Sequence, residues 1–258
     1  MKIPLPKKPL FEEKEDNIAI FTIEELYSGY GITLGNALRR VLLSSLGGAA
    51  ITSFKIEGVD HEFTTIPGVL EDVVQIMLNL KKVRVKLLSE GPETVYIRTK
   101  GEKEITANDI EKNANIEIIN KDLVLLTVTD KKVSINMEII VERGLGYLTS
   151  DKMQKDKLPI GTIAVDAIFT PVRNVQDSVE NMRVGERTDY NKLILKIETD
   201  GSISPEKAFE EAVDILVAQF SALTKEAHNE EIEPHTTETE NTEENEEEAK
   251  KKLKKGKK

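Results

Sequence analysis

The stretch Tyr30-Gly31-Ile32-Thr33-Leu34-Gly35-Asn36-Ala37-Leu38-Arg39-Arg40-Val41-Leu42-Leu43-Ser44-Ser45 dictates much of how the remaining chain must fold. At 100° per residue, Leu34, Ala37, Leu38, Val41, Leu42 and Ser45 share one face of a helix over residues 33–46. Asn36, Arg39, Arg40 and Leu43 share the other. Ser45 and the pair Gly47-Gly48 are the expected stop signal. An apolar stripe this wide requires a surface to cover it, so distant parts of the chain must return to this helix.

One such part is residues 204–227. Ser204 is a fitting N-cap and Pro205 a fitting first helical residue. Downstream, Phe209, Val213, Leu216, Phe220 and Leu223 follow at intervals of 4, 3, 4 and 3, a heptad seam widened by Ala208, Ala212 and Ile215. Spacing alone leaves two readings open, an ordinary core helix or a helix that also seals a dimer. A shorter helix is expected over residues 69–80, with Leu70, Val73, Val74, Met77 and Leu78 inward.

Between these helices the chain alternates with period two, as half-buried antiparallel strands do. Phe54 and Ile56 alternate with Ser53, Lys55 and Glu57; Val83, Val85 and Leu87 alternate with Arg84 and Lys86; Val95, Ile97 and Thr99 follow the same rule. Residues 123–129 and 133–141 flank Asp130-Lys131-Lys132, which reads as a hairpin turn. Leu193, Leu195 and Ile197 mark a late strand. The pattern is that of an α+β protein whose two chain ends fold together around an inserted, mainly antiparallel β domain.

Composition narrows the chemistry. The 258 residues are 39% hydrophobic and 32% charged, the profile of a folded, rather polar chain. No apolar run approaches the roughly 18 residues that span a bilayer, and no apolar stretch follows the first lysines, so a cytoplasmic protein with no membrane association is expected. With no cysteine there is no thiolate metal site or Cys nucleophile, and two of the three histidines, His228 and His235, lie near the C-terminal tail. His61 reads as a turn or surface residue. The net charge of −10 argues against a chain that coats nucleic acid by itself. Residues 230–258 carry ten glutamates and then seven lysines; so little apolar surface cannot offset the entropy of ordering, and the tail is read as disordered. Its cluster from Lys250 to Lys258 is a candidate for weak contact with nucleic acid or an acidic partner.

Two glycine-rich motifs invite a nucleotide reading and do not sustain it. Gly29-Tyr30-Gly31-Ile32-Thr33-Leu34-Gly35 follows a strand and opens a helix, but its glycine spacing differs from the dinucleotide fingerprint and the chain does not alternate strand with helix. Arg143-Gly144-Leu145-Gly146-Tyr147 lacks the Lys-Ser/Thr of a phosphate loop and reads as a tight turn leaving a strand. No carboxylate pair stands out by spacing, and no hard-metal cluster is present. Neither a catalytic centre nor a cofactor or metal site is expected.

The stretch from Tyr30 to Ser45 closely resembles the signature of the bacterial RNA polymerase alpha-subunit N-terminal domain. The resemblance continues through His61-Glu62-Phe63, Gly68-Val69, Glu71-Asp72, Leu78-Asn79-Leu80-Lys81 and Arg143-Gly144-Leu145-Gly146-Tyr147. It resumes at Pro159-Ile160-Gly161, Val165-Asp166-Ala167, Thr170-Pro171-Val172, Arg187-Thr188-Asp189 and Glu198-Thr199-Asp200-Gly201-Ser202-Ile203-Ser204-Pro205. It spans about residues 5–228, in order.

The resemblance implies a subunit of DNA-directed RNA polymerase, a nucleotidyltransferase, that is itself a non-catalytic homodimeric scaffold collecting the beta and beta-prime subunits and meeting DNA through the holoenzyme. It implies a dimerisation domain from residues 1–48 and 172–229, an inserted β-rich domain at 49–171 and a tail at 230–258. Under it, Asn36, Arg39, Arg40 and Leu43 form a docking face, with Arg40 the contact to beta. Lys81, Val165, Asp166 and Arg183 are the further residues holding the large subunits. Leu38, Val41, Leu42, Phe209, Val213, Leu216, Phe220 and Leu223 are the expected dimer-interface residues. Two departures stand out. The sequence continues into the charged tail where relatives usually carry a small DNA-binding domain, so that mode of promoter recognition is not expected. The loop Ser150-Asp151-Lys152-Met153-Gln154-Lys155-Asp156-Lys157 carries three lysines where some relatives offer an acidic surface to activators.

Overall fold

The computed structural model describes residues 3–15, 17–154, 159 and 161–223. Expectations for residues 155–157 and for the tail from residue 230, with Lys250 and Lys258, lie outside the described residues. The chain divides by compactness into residues 1–217 and 218–258.

In the N-terminal half the elements are β1 (Leu10–Glu15), β2 (Ile18–Leu26), α1 (Tyr30–Ser44), β3 (Gly47–Ile56), α2 (Val73–Leu80), β4 (Val85–Leu87), β5 (Glu93–Lys100), β6 (Lys103–Thr106), β7 (Ile116–Ile118) and β8 (Val124–Val128). Then follow β9 (Ser134–Leu145), β10 (Tyr147–Leu148), α3 (Ser150–Gln154), β11 (Ile163–Ala164), β12 (Ala167–Ile168), β13 (Val172–Val184), β14 (Arg187–Thr199) and α4 (Pro205–Ser221). This is an α+β fold with an inserted β domain, and every strand pairing is antiparallel.

The chain ends meet in a four-stranded sheet of order β1-β2-β14-β13. Alternation along β2 and β14 places Ala19, Phe21, Ile23, Leu193, Leu195 and Ile197 on one buried face. Leu38, Leu42 and Leu46 of the α1 segment and Ala208, Phe209 and Ala212 of α4 join the same cluster, and the Phe21 and Phe209 rings stack with centroids 4.4 Å apart. A second cluster belongs to the inserted residues, around the sheet ordered β5-β9-β3-β4-β7 with β11 on β3. Val73, Ile76 and Leu80 of α2 cover it, with Leu125 and Leu126 of the separate β6-β8 pair.

Several expectations are corrected. Helix α1 starts three residues earlier than its apolar stripe suggests, and Gly47-Gly48 do not stop it. Ser45 ends the helix by donating its N–H to Val41 O at 2.9 Å, and the two glycines are the first residues of β3. The turn at Asp130 exists, its carboxylate accepting from Lys132 N at 2.9 Å, but it does not make a hairpin. β8 pairs with β6, while both edges of β9 are occupied by β3 and β5 and none is left for β8. Helix α2 begins at Val73 because Asp72 caps it, accepting from Gln75 N at 2.7 Å. Residue 70 therefore lies outside the helix, its N–H bonded to Thr127 O, and Leu70 is 72% exposed. Leu78 also faces outward, and Ile76 and Leu80 take the inward positions.

Three glycines mark close approaches of the backbone. A β-carbon at Gly31 would sit 2.7 Å from Val179 Cγ1, and one at Gly35 would sit 2.9 Å from Leu193 Cδ1, so α1 lies almost on the strands beneath it. A β-carbon at Gly48 would fall 1.8 Å from the Phe169 carbonyl oxygen, where only backbone displacement could relieve it. Gly48→Ala should therefore destabilise the chain by at least about 2 kcal/mol through overpacking. Gly91→Ala, where no neighbour lies within 4 Å, should change stability by less than about 0.5 kcal/mol. Urea unfolding of both variants measures the contrast.

Candidate functional site

Helix α1 is oriented by a side chain far from it in sequence. Its N-cap, Gly29, adopts a left-handed φ of 86° and has no side chain with which to cap. Asn191 of β14 does that work: buried, its Oδ1 accepts from Gly29 N at 2.8 Å and Gly31 N at 3.3 Å, while its Nδ2 donates to Asn181 Oδ1 at 3.2 Å. The helix start is thereby tied to both strands of the β13-β14 hairpin.

This seating separates two adjacent arginines. Arg39 reaches back to the sheet, its Nη1 donating to Asp177 Oδ1 of β13 at 2.8 Å. Arg40 is exposed and, among the described residues, its guanidinium has no hydrogen-bond or ion-pair partner. Arg40 lies in a stripe with exposed Asn36 and Leu43, and the stripe extends one turn back to Ile32, 60% exposed. Sequence reading passed over Ile32, although its spacing of four residues before Asn36 is the same helical signal.

Lys81, Val165 and Asp166, distant in sequence, come together. Lys81 Nζ donates to Asp166 Oδ2 at 3.2 Å and lies 5.6 Å from the Tyr147 ring centroid. Asp166 Oδ1 accepts from Ser150 N at 2.9 Å. The Ser150 amide above all, with Tyr147 and Lys81, holds the Asp166 carboxyl at about 2 against the opposing effect of partial burial. The nearby Asp166 carboxylate in turn raises the Tyr147 hydroxyl above its ordinary value. Tyr147 and Ser150 are thus members of this cluster that sequence reading did not single out.

Val165 is a correction. It is fully buried, and its N–H donates to Thr52 O at 2.7 Å, so no partner protein can touch its side chain directly. It follows buried Ile163 and Ala164 and precedes the half-buried Asp166.

The cluster adjoins the end of α1. Ser44 O packs within 3.9 Å of the position a β-carbon would take on Gly146, and Thr170 Oγ1 donates to Leu43 O at 3.5 Å. Exposed Leu43, Leu145, Tyr147 and Ile168 supply an apolar surround. Arg183 is elsewhere, at the tip of the β13-β14 hairpin, which reaches the start of α1; its Nε donates to Gly185 O at 2.8 Å. Beside that tip the Arg187 guanidinium grips Asp189 through two bonds of 2.9 and 2.7 Å and lies 5.0 and 5.2 Å from the rings of Tyr27 and Tyr190. The Arg187-Thr188-Asp189 motif thus stiffens the hairpin end.

The expected dimer residues divide by burial. Leu38, Leu42 and Phe209 are interior residues of the chain's own core, a second correction, because the width of an apolar stripe does not say which part of it a neighbouring chain could reach. Val41, Val213 and Leu216 are half-buried, and Val217, Phe220 and Leu223 are exposed. Helix α4 ends at Ser221, so the expected extension to residue 227 passes into residues not described. Among the described residues no cluster of three or more His, Asp or Glu could hold a metal ion, and no helix is long and apolar enough to cross a membrane.

The fold and these surfaces define a protein of the RNA polymerase Rpb3/RpoA insert-domain class, whose family description matches residues 54–170. The chain is 48% identical over 236 residues to the DNA-directed RNA polymerase subunit alpha of Clostridium botulinum, covering 90% of this chain and 75% of the relative. It is 48% identical over 229 residues to that of Moorella thermoacetica, covering 87% and 73%. For Flavobacterium psychrophilum the figures are 47% over 224 residues, 86% and 68%. The chain belongs to the family of bacterial DNA-directed RNA polymerase alpha subunits.

The Asp166 geometry carries a pH consequence. A carboxyl held at about 2 when folded, against roughly 4 in an unfolded chain, stabilises the fold fully above the unfolded value and loses that contribution as pH falls from about 4 through about 2. Asp166→Asn should flatten this part of the acid limb, read as melting temperature from pH 7 to pH 2.

Proposed function

We propose that this alpha subunit acts as a homodimeric scaffold, without a reaction of its own, that collects the beta and beta-prime subunits in the cytoplasm and meets DNA through the assembled polymerase. The observation that carries the reading is the division of labour on α1. Arg39 is engaged by Asp177, whereas Arg40, among the described residues, has no partner and lies one turn from exposed Leu43. An exposed guanidinium beside an apolar side chain suits an interface hot spot, able to pair with a carboxylate as water is excluded. The neighbouring Lys81-Asp166 cluster supports a second part of the same docking surface.

Dimerisation is supported by the exposed apolar end of the seam, where Phe220 is 61% and Leu223 82% exposed, residues that a second copy of the chain would remove from water. Phe220→Asp should convert a dimer into a monomer in sedimentation equilibrium while leaving the melting temperature of the protomer core nearly unchanged. An unchanged dimer would refute this contact.

Arg40→Ala tests the docking face. The expected result is a folded dimer whose capture of beta falls by about 30-fold or more, the scale of a hot-spot truncation. Undiminished copurification with beta would overturn the role.

A further inference from the structure

A cavity of about 340 Å³ at the start of β3 lies apart from the docking and dimer residues described above. It opens where two strands part. β3 and β4 pair at Ala49 and Val85, and the same register carried further would set Gly47 against Leu87. The ladder stops short of that pair, and an arginine side chain takes up the freed carbonyl. Arg143, opposite Ala49 on the other flank of β3, reaches across so that its Nη2 donates to Leu87 O at 2.7 Å. The facing wall is the start of α4 with the turn before it, where Ser202, Ile203 and Lys207 line the space.

The charges of this lining run against those of the chain. Lys86, Arg143 and Lys207 meet a single carboxylate, Glu211, in a protein whose net charge is −10. All three cations have donors to spare. Arg143 is anchored through one N–H of its fork, which leaves the others for an acceptor. Lys86 is exposed and, among the described residues, its ammonium has no hydrogen-bond or ion-pair partner. Lys207 is 3.9 Å from Glu211, but the lysine precedes the glutamate, the weaker order for an i,i+4 pair, and its side chain is 67% exposed. It also stands in the first turn of α4, where the helix dipole opposes a cation and favours an anion.

We propose that this cavity binds a small phosphate-bearing anion, its oxygens held by the Arg143 fork and by the ammonium groups of Lys86 and Lys207. A planar guanidinium fixed at one corner matches two phosphate oxygens, and lysines add point charge around them. The volume is that of a small-ligand site, and Pro171 and Ile203 offer an apolar wall to an organic body carried by the phosphate. The grip comes from side chains, so neither glycine-rich motif of the sequence has to serve as a phosphate loop.

The test titrates the full-length chain at low salt with inorganic phosphate and, separately, with phenyl phosphate, followed by amide shifts in NMR. The expected result is saturable binding at one site per chain, with shifts centred on residues 47–49, 85–87 and 143–144. Tighter binding of phenyl phosphate identifies an organic phosphate as the ligand class, and equal binding identifies the free anion; both support the site. Lys86→Gln and Lys207→Gln, changes of exposed side chains that should leave the melting temperature unaltered, are each expected to weaken binding roughly 2- to 5-fold, and together about 10-fold. Lys131→Gln, beyond the opposite end of β9, should bind like wild type. Shifts that never saturate, or a loss as large in Lys131→Gln as in the cavity variants, would mean general attraction of anions and overturn the site. Wild-type affinity in the double variant would overturn it as well.

Discussion

Helix α1 can lie where it does because residue 31 has no side chain. With a β-carbon there, the helix would have to rise off Val179 and Asn191, and the hydrogen bonds from Gly29 and Gly31 to Asn191 would lengthen or break. A buried amide deprived of those partners costs more than the bonds themselves contribute, so packing and polar satisfaction stand or fall together at this junction. The glycines that suggest a nucleotide loop are thus accounted for by backbone approach between a helix and a sheet.

The seating of α1 also sets its rotation about its own axis, and function follows from rotation. Turned as it is, the helix aims Arg39 at Asp177 and leaves Arg40, one residue on and about 100° round, without a partner among the described residues. A small rotation would exchange their surroundings. The two cations are equivalent in composition and differ in surroundings: one ties the helix to its sheet, the other faces water.

At its other end the same helix meets the inserted domain. Gly48 passes against the carbonyl of Phe169, and Gly144 lies under the Phe169 ring, where a β-carbon would sit 2.6 Å from the ring carbon Cε2. Those contacts place the segment around Tyr147 beside the end of α1. The surface that would dock a partner, as proposed, is thus assembled from both parts of the chain and depends on backbone contacts beneath it.

Much of this was legible in the residues. Period-two alternation marked β3, β5 and β14, and helical spacing marked which side of α1 is wet, because burial of apolar side chains follows the geometry of the element that carries them. Motif resemblance reached Arg40, Lys81 and Asp166 as separate residues. What spacing could not say was which strands share an edge, and so Asp130 reads as a hairpin turn although β9 is already paired on both sides. Nor could it separate Leu38, buried in the chain's own core, from Phe220, left in water, since both lie on apolar stripes of helices. The sequence by itself determined the elements, the apolar faces and the residue types of a docking subunit. Only the tertiary structure decided that Arg39 is engaged while Arg40 has no partner among the described residues, that Val165 lies beneath the surface, and that Tyr147 and Ser150 join Lys81 and Asp166, because each depends on distances between segments far apart along the chain.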